Sequence, residues 1–269
     1  MNDMRHRERG WWALFLLAAF ISTSALGGSY AASRTAQSDG KMTEEQVALM
    51  EMGISKVSAG EYEEALKLFD ACCKAAKRAP LPFLNRGKLF LIMGKLDKAA
   101  ADVEKAIKLD PSLQEAHLAL GIIERMRGDY DRGIKELNIA LEMAPNDPSA
   151  LMNRAQLFFD AGRADLALED LSKVLESNPR MLKALENRAY ILEQLGRYDD
   201  EISDLTTILT LQPDHLQAMK HLGYAHRQKG DVESALRWFK NAMKLERNDV
   251  AKNRLLQEIE QLQAQIEGK

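Results

Sequence analysis

Apolar and polar positions along this chain recur with a fixed step of 34 residues. Six glycines, Gly60, Gly94, Gly128, Gly162, Gly196 and Gly230, stand at that spacing without one insertion between them. Numbering one period so that these glycines fall at position 15 starts the copies at Gln46, Pro80, Gln114, Pro148, Leu182 and Leu216. At about 100° per residue, positions 4, 7, 8 and 11 share one helical face, and positions 20, 24 and 27 form a second apolar stripe after the glycine. Each of the six periods (46–79, 80–113, 114–147, 148–181, 182–215, 216–249) therefore predicts two amphipathic helices. Neither helix pair can bury its stripe alone, so the copies must stack into an all-α solenoid over 43–249. In residues 250–269, Leu255, Ile259, Leu262 and Ile266 stand at four-three-four spacing. That stripe predicts a helix capping the sixth copy, with a short dimerising coiled coil as the alternative.

Within the period, position 8 is small (Gly53, Gly87, Gly121, Ala155, Ala189, Gly223), position 15 is Gly, and position 17 in five of the six copies is Tyr62, Leu96, Tyr130, Tyr198 or Val232. Position 20 is Ala in four copies, position 24 is apolar, position 27 is small or apolar, and position 32 is Pro111, Pro145, Pro179 or Pro213. This pattern resembles the tetratricopeptide repeat. The resemblance implies a right-handed superhelical solenoid of six helix-turn-helix repeats, with a concave groove that binds protein partners. Single copies depart from it: Gly133 and Glu201 stand at position 20, and Lys77 and Arg247 replace proline in the first and last copies, where atypical capping repeats are expected.

The triplet Asn-Arg-small recurs at Asn85, Asn153 and Asn187, but its members point in different directions. Copies with Arg at position 7 (Arg86, Arg154, Arg188) carry Asp at position 23 (Asp102, Asp170, Asp204); the others pair Met52 with Leu68, Leu120 with Glu136 and Leu222 with Trp238. An acid on the packed stripe needs a partner to offset its desolvation. The joint exchange predicts an Arg to Asp ion pair joining two helices within or between neighbouring repeats.

Position 6 lies on the opposite face with 2, 9 and 13, which in the resembled fold lines the groove. Asn85, Asn153 and Asn187 there resemble the asparagine ladder of the repeats in O-linked N-acetylglucosamine transferase, whose amides hold an extended peptide; a solvated helix Asn is the alternative for each. Met50, Ile54, Leu84, Leu91, Leu118, Ile122 and Met126 make the first half of the groove apolar, and the last copies supply polar residues with Tyr190 and Tyr224. An exposed apolar patch of this kind marks a partner site; the alternative is that the N-terminal tether or a neighbouring helix covers it. No copy combines Lys at 5 with Asn at 9, the family's clamp for a free C-terminal carboxylate.

Composition bounds what this scaffold could serve. Three arginines precede the apolar run Trp11 to Ile21, too short to span a bilayer comfortably, and small residues follow it. Residues 1–31 thus read as an export signal, or as an uncleaved membrane anchor, ahead of a flexible tether over 32–42. Without their three arginines and two acids, the 37 basic and 40 acidic side chains of the chain become 34 and 38, which does not recruit nucleic acid. Cys72 and Cys73 are adjacent and cannot form an ordinary disulfide with each other. No two of the five histidines have helical ligand spacing, so no metal or other cofactor is assigned. With no catalytic grouping outside the repeat pattern, the reading is a non-catalytic scaffold that binds a protein or extended peptide, with no small-molecule substrate. Its expected location is a bacterial periplasm or the exterior, favoured mildly by the absence of any Asn-x-Ser/Thr sequon. The alternative is a self-associating or membrane-tethered assembly factor for an envelope complex, anchored to the inner membrane through the N-terminal segment.

Overall fold

The computed structural model describes residues 41–268; residues 1–31, expected to be an export signal or anchor, and most of the expected tether lie outside the described residues. Thirteen helices account for almost all of them: α1 (Glu44–Ser58), α2 (Tyr62–Ala75), α3 (Pro80–Ile92), α4 (Leu96–Leu109), α5 (Gln114–Arg127), α6 (Tyr130–Met143), α7 (Pro148–Asp160), α8 (Ala164–Ser177), α9 (Leu182–Gln194), α10 (Tyr198–Leu211), α11 (Leu216–Gln228), α12 (Val232–Leu245) and α13 (Asp249–Glu267). From α3 to α11, the first helix of each copy starts on the residue at which the period begins. The chain divides into two compact units, up to Asp129 and from Tyr130 onward. In the first, α1 pairs with α2 and α3 with α4, and each pair packs on the next first helix. In the second, α7 pairs with α8, α9 with α10 and α11 with α12, in unbroken neighbour-to-neighbour sequence out to α13.

The turn inside each repeat follows from its glycine. All six have φ between 70° and 83°, the left-handed region that a side chain resists. Each closes its helix by a Schellman pattern: Gly94 N–H donates to Leu91 O and Lys95 N–H to Phe90 O, and the other five copies repeat both bonds. At the entry to α1, the Thr43 side chain accepts from the Gln46 N–H while the Gln46 amide oxygen accepts from Thr43, a reciprocal cap.

Position 8 is small because position 24 of the paired helix fills the space. A Cβ at Gly53 would stand 2.6 Å from Phe69 Cε1, and one at Gly223 2.5 Å from Phe239 Cε1; both phenylalanines are fully buried. The fourth and fifth copies carry Ala155 with Leu171 and Ala189 with Leu205, while Gly87 goes with Val103, whose Cγ2 would lie 2.7 Å from an added Cβ, and Gly121 with Leu137. Gly223→Ala is therefore expected to lower stability by roughly 1–3 kcal/mol, overriding the ~1 kcal/mol that Ala gains over Gly in a helix. Urea unfolding would show this, and Gly223→Ala with Phe239→Leu should recover most of the loss.

At the end of the second unit, Leu255, Ile259 and Leu262 of α13 are buried in one cluster with Ala235, Phe239 and Ala242 of α12. The stripe that could have formed a coiled coil is thus spent on capping, leaving Ile266 exposed. Cys72 and Cys73 are free and buried, and burial pushes the Cys73 thiol up to about 12, so it is no nucleophile at neutral pH. Among the described residues no helix is long and apolar enough to cross a membrane.

Candidate partner-binding face

Three arginines tie each first helix to both of its second-helix neighbours. Arg86 Nε lies 2.6 Å from Asp102 Oδ2 and Nη2 2.8 Å from Oδ1, a two-pronged contact inside one repeat. Its remaining nitrogen, Nη1, donates to Asp70 Oδ1 at 2.7 Å, on α2 of the preceding repeat. Arg154 grips Asp170 at 2.7 Å with both prongs and donates to Asn138 Oδ1 at 2.7 Å; Arg188 grips Asp204 at 2.8 and 2.7 Å and reaches Ser172 Oγ at 3.2 Å. The bond is therefore both within and between repeats. Asp70, Asn138 and Ser172 all occupy position 25, sixteen residues before the arginine. Sequence reasoning missed them because three different side chains serve as the acceptor. Hydrogen bonds to Asp102 and then Asp70 hold the Arg86 guanidinium charged more firmly than usual.

The inner face of the first unit is covered, which corrects the expectation of an open apolar patch. Met50, Leu84, Leu91, Leu118 and Ile122 are each no more than 8% exposed. Met50 joins the core cluster of Val57, Phe69, Cys72 and Leu89, with Ile54 packed half-buried against it. The first helices also touch one another directly, α1 on α3 and α3 on α5, which draws this face into a seam. Asn85 is buried too: its amide donates to Leu81 O at 3.0 Å and lies 3.4 Å from Met50 Sδ, so it is engaged internally. Lys88, beside it on this face, is buried and paired with Glu115, and burial lowers its pKa against that carboxylate's pull. Met126 alone of the apolar set stands out into solvent.

The corresponding face of the second unit is polar-aromatic and partly exposed. Asn153 and Asn187 are half-buried, the Asn153 amide donating to Ser149 O at 2.8 Å. Tyr190 meets Phe159 edge to face, ring centroids 5.6 Å apart. Tyr224 does the same with Phe239 at 5.0 Å, and the Arg227 guanidinium lies 5.5 Å above the Tyr224 ring. Arg227 is itself paired with Glu258 of α13, and Glu186 lies 3.0 Å from His215 Nε2. Phe159, Tyr190 and Tyr224 are half-buried, and Tyr224 offers its ring beside the Arg227 charge. Phe159, at position 12 of the fourth copy, belongs to this strip; it shares that position with Leu91 but was not itself named among the groove residues.

Three further side chains converge on the same face from different helices: Glu193 at the end of α9, Glu201 on α10 and His221 on α11. One ligand atom from each lies within 4.8 Å of the others, and His221 Nδ1 is 3.4 Å from Glu193 Oε2. Glu201 is 1% exposed, and burial followed by the nearby Glu193 charge raises its pKa to about 8.

Consecutive paired helices closed by left-handed glycines define a helical-repeat solenoid. The profile of the tetratricopeptide repeat matches residues 84–148, 152–209 and 202–249, and the chain belongs to that family. The heat-shock protein cognate co-chaperone sgt12 of Aspergillus fumigatus is 29% identical over 132 residues, 48% of this chain and 39% of that protein. The J domain-containing co-chaperone DNJ1 of Fusarium oxysporum is 30% identical over 84 residues. The chain thus spans 39% and 16% of the lengths of these curated relatives. Among solved structures, the type IV pilus biogenesis factor PilW superposes with a TM-score of 0.69 at 14% identity, covering 76% of this chain and 94% of PilW. YrrB, described as having an unusual peptide-binding site, superposes with a TM-score of 0.58 at 20% identity, covering 70% of this chain and 97% of YrrB. At these identities the likeness is one of fold.

Proposed function

We propose that this protein is a non-catalytic, exported interaction module that holds an extended segment of a partner protein against the first helices of its last three repeats. The observation that carries the reading is the partly exposed strip of Phe159, Tyr190 and Tyr224, with Asn153 and Asn187 on the same helices and the Arg227 charge over Tyr224. Half-buried aromatic rings supply contact area at small entropic cost, and amides that accept and donate suit a peptide backbone. The co-chaperone relatives and a structural neighbour with a peptide-binding site support a protein ligand. The first-unit face contributes Ile54 and Met126 at most, since its other apolar residues are already buried.

The basic head and apolar run of residues 1–31 support export, and equally a tethered assembly factor if that segment stays attached. Mass determination of the chain recovered from cells separates the two: loss of about 31 residues supports the exported form, and an intact N-terminus the tethered one. For the binding face, a photoreactive residue at Tyr190 should crosslink one defined protein in cells, and the same residue at Lys173, half-exposed on α8, should not. Crosslinking from position 173 with none from 190 would place the partner elsewhere and overturn the reading.

A further inference from the structure

Glu201 stands where Ala65, Ala99, Ala167 and Ala235 stand in their own repeats, each fully buried against the paired helix. A carboxylate at that position enters a space built for a methyl group and must extend away from it. Its side chain ends beside Glu193 and His221, and its Oε2 atom is buried without a hydrogen-bond partner. An ionised carboxylate oxygen in that condition costs several kcal/mol unless something positive meets it. Glu193, which also carries a negative charge, cannot serve.

We propose that Glu193, Glu201 and His221 hold one divalent transition-metal ion of the zinc class. Two carboxylates offset a double positive charge, and a neutral imidazole completes the set, a donor that favours zinc and its first-row neighbours over magnesium or calcium. Ligands bound at about 2.0–2.2 Å around a tetrahedral ion stand roughly 3.4 Å apart. The 3.4 Å between His221 Nδ1 and Glu193 Oε2 is that edge, and the remaining ligand atoms lie within 4.8 Å, so small side-chain rotations close the set. Each ligand comes from a different helix, α9, α10 and α11, so the ion would clasp the fifth repeat to the sixth. Three protein ligands leave an open coordination position. Glu193 and His221 are only partly buried, so that position faces water, or a donor atom of whatever occupies the open face.

The inference is independent of the partner-binding reading, and its test uses the metal alone. Full-length protein, stripped with a chelator, is titrated with Zn²⁺ by calorimetry and with Co²⁺ by visible absorption. The expected result is one equivalent bound, with the d–d bands of cobalt in a low-coordinate N/O site. Glu201→Ala restores the residue that four other repeats carry, so the variant should fold; His221→Ala removes the nitrogen donor. Each should weaken Zn²⁺ binding by about 100-fold or more while leaving the helical circular dichroism unchanged. Absence of stoichiometric uptake would overturn the proposal in favour of a protonated Glu201. Equal uptake by parent and Glu201→Ala would also overturn it, since the ion would then sit on surface acids elsewhere.

Discussion

Arg154→Met is expected to cost about 3 kcal/mol of stability in urea unfolding, a loss out of proportion to removing one surface-rimmed side chain. Its carboxylate partner explains the size. Asp170 is 2% exposed, so without Arg154 a charge remains in a site built to exclude water. Lys173 stands 3.7 Å from Asp170, but it is about half exposed, and a screened contact of that kind returns only a few tenths of a kcal/mol. Asn138 also loses the donor that faces it across the repeat boundary. The first copy shows how to remove the problem entirely, because it pairs Met52 with Leu68 at the same two positions. Arg154→Met combined with Asp170→Leu should therefore recover most of the loss, since replacing a buried ion pair by packed apolar groups is often neutral. A single mutant as stable as the parent would mean that water solvates Asp170 in the folded chain. Because Arg154 also bridges to α6, the single mutant should loosen the junction between third and fourth repeats, seen as faster amide exchange in α6 and α7.

What the sequence disclosed here depended on whether the physics was periodic. The fold was legible because one constraint, a helix pair closed by a left-handed glycine, is imposed six times at one spacing. The Arg to Asp contact was legible because two positions change together: where Arg86 gives way to Met52 or Leu222, Asp102 gives way to Leu68 or Trp238. Its third member was not, because Asp70, Asn138 and Ser172 share only the ability to accept a hydrogen bond. The inner face was misjudged for a different reason. Helical periodicity tells which way Leu84 and Leu91 point, but not that neighbouring first helices close upon one another there and leave both buried. The Glu193, Glu201 and His221 group escaped because ligand spacing along one helix cannot find donors on three helices. Its single trace in the sequence was an acid at position 20, in place of alanine.

That acid also makes the second prediction, for the protein kept free of metal by a chelator. Burial and the Glu193 charge hold the Glu201 carboxyl up to about 8, against about 4.5 for the unfolded chain. The folded state therefore keeps a proton that the unfolded state gives up between these values, so stability contributed by Glu201 is fully present below pH 4.5 and is lost as pH rises towards 8. Each pH unit in that window removes about 1.4 kcal/mol relative to a chain without the group, and the full separation corresponds to roughly 4–5 kcal/mol. Glu201→Ala should accordingly gain little near pH 5 and be more stable than the parent by about 4 kcal/mol at pH 8.5, as measured by urea midpoints across the range. A flat difference across pH 5 to 8.5 would mean that Glu201 is solvated or already ionised in the folded chain, and that the buried oxygen has a partner after all.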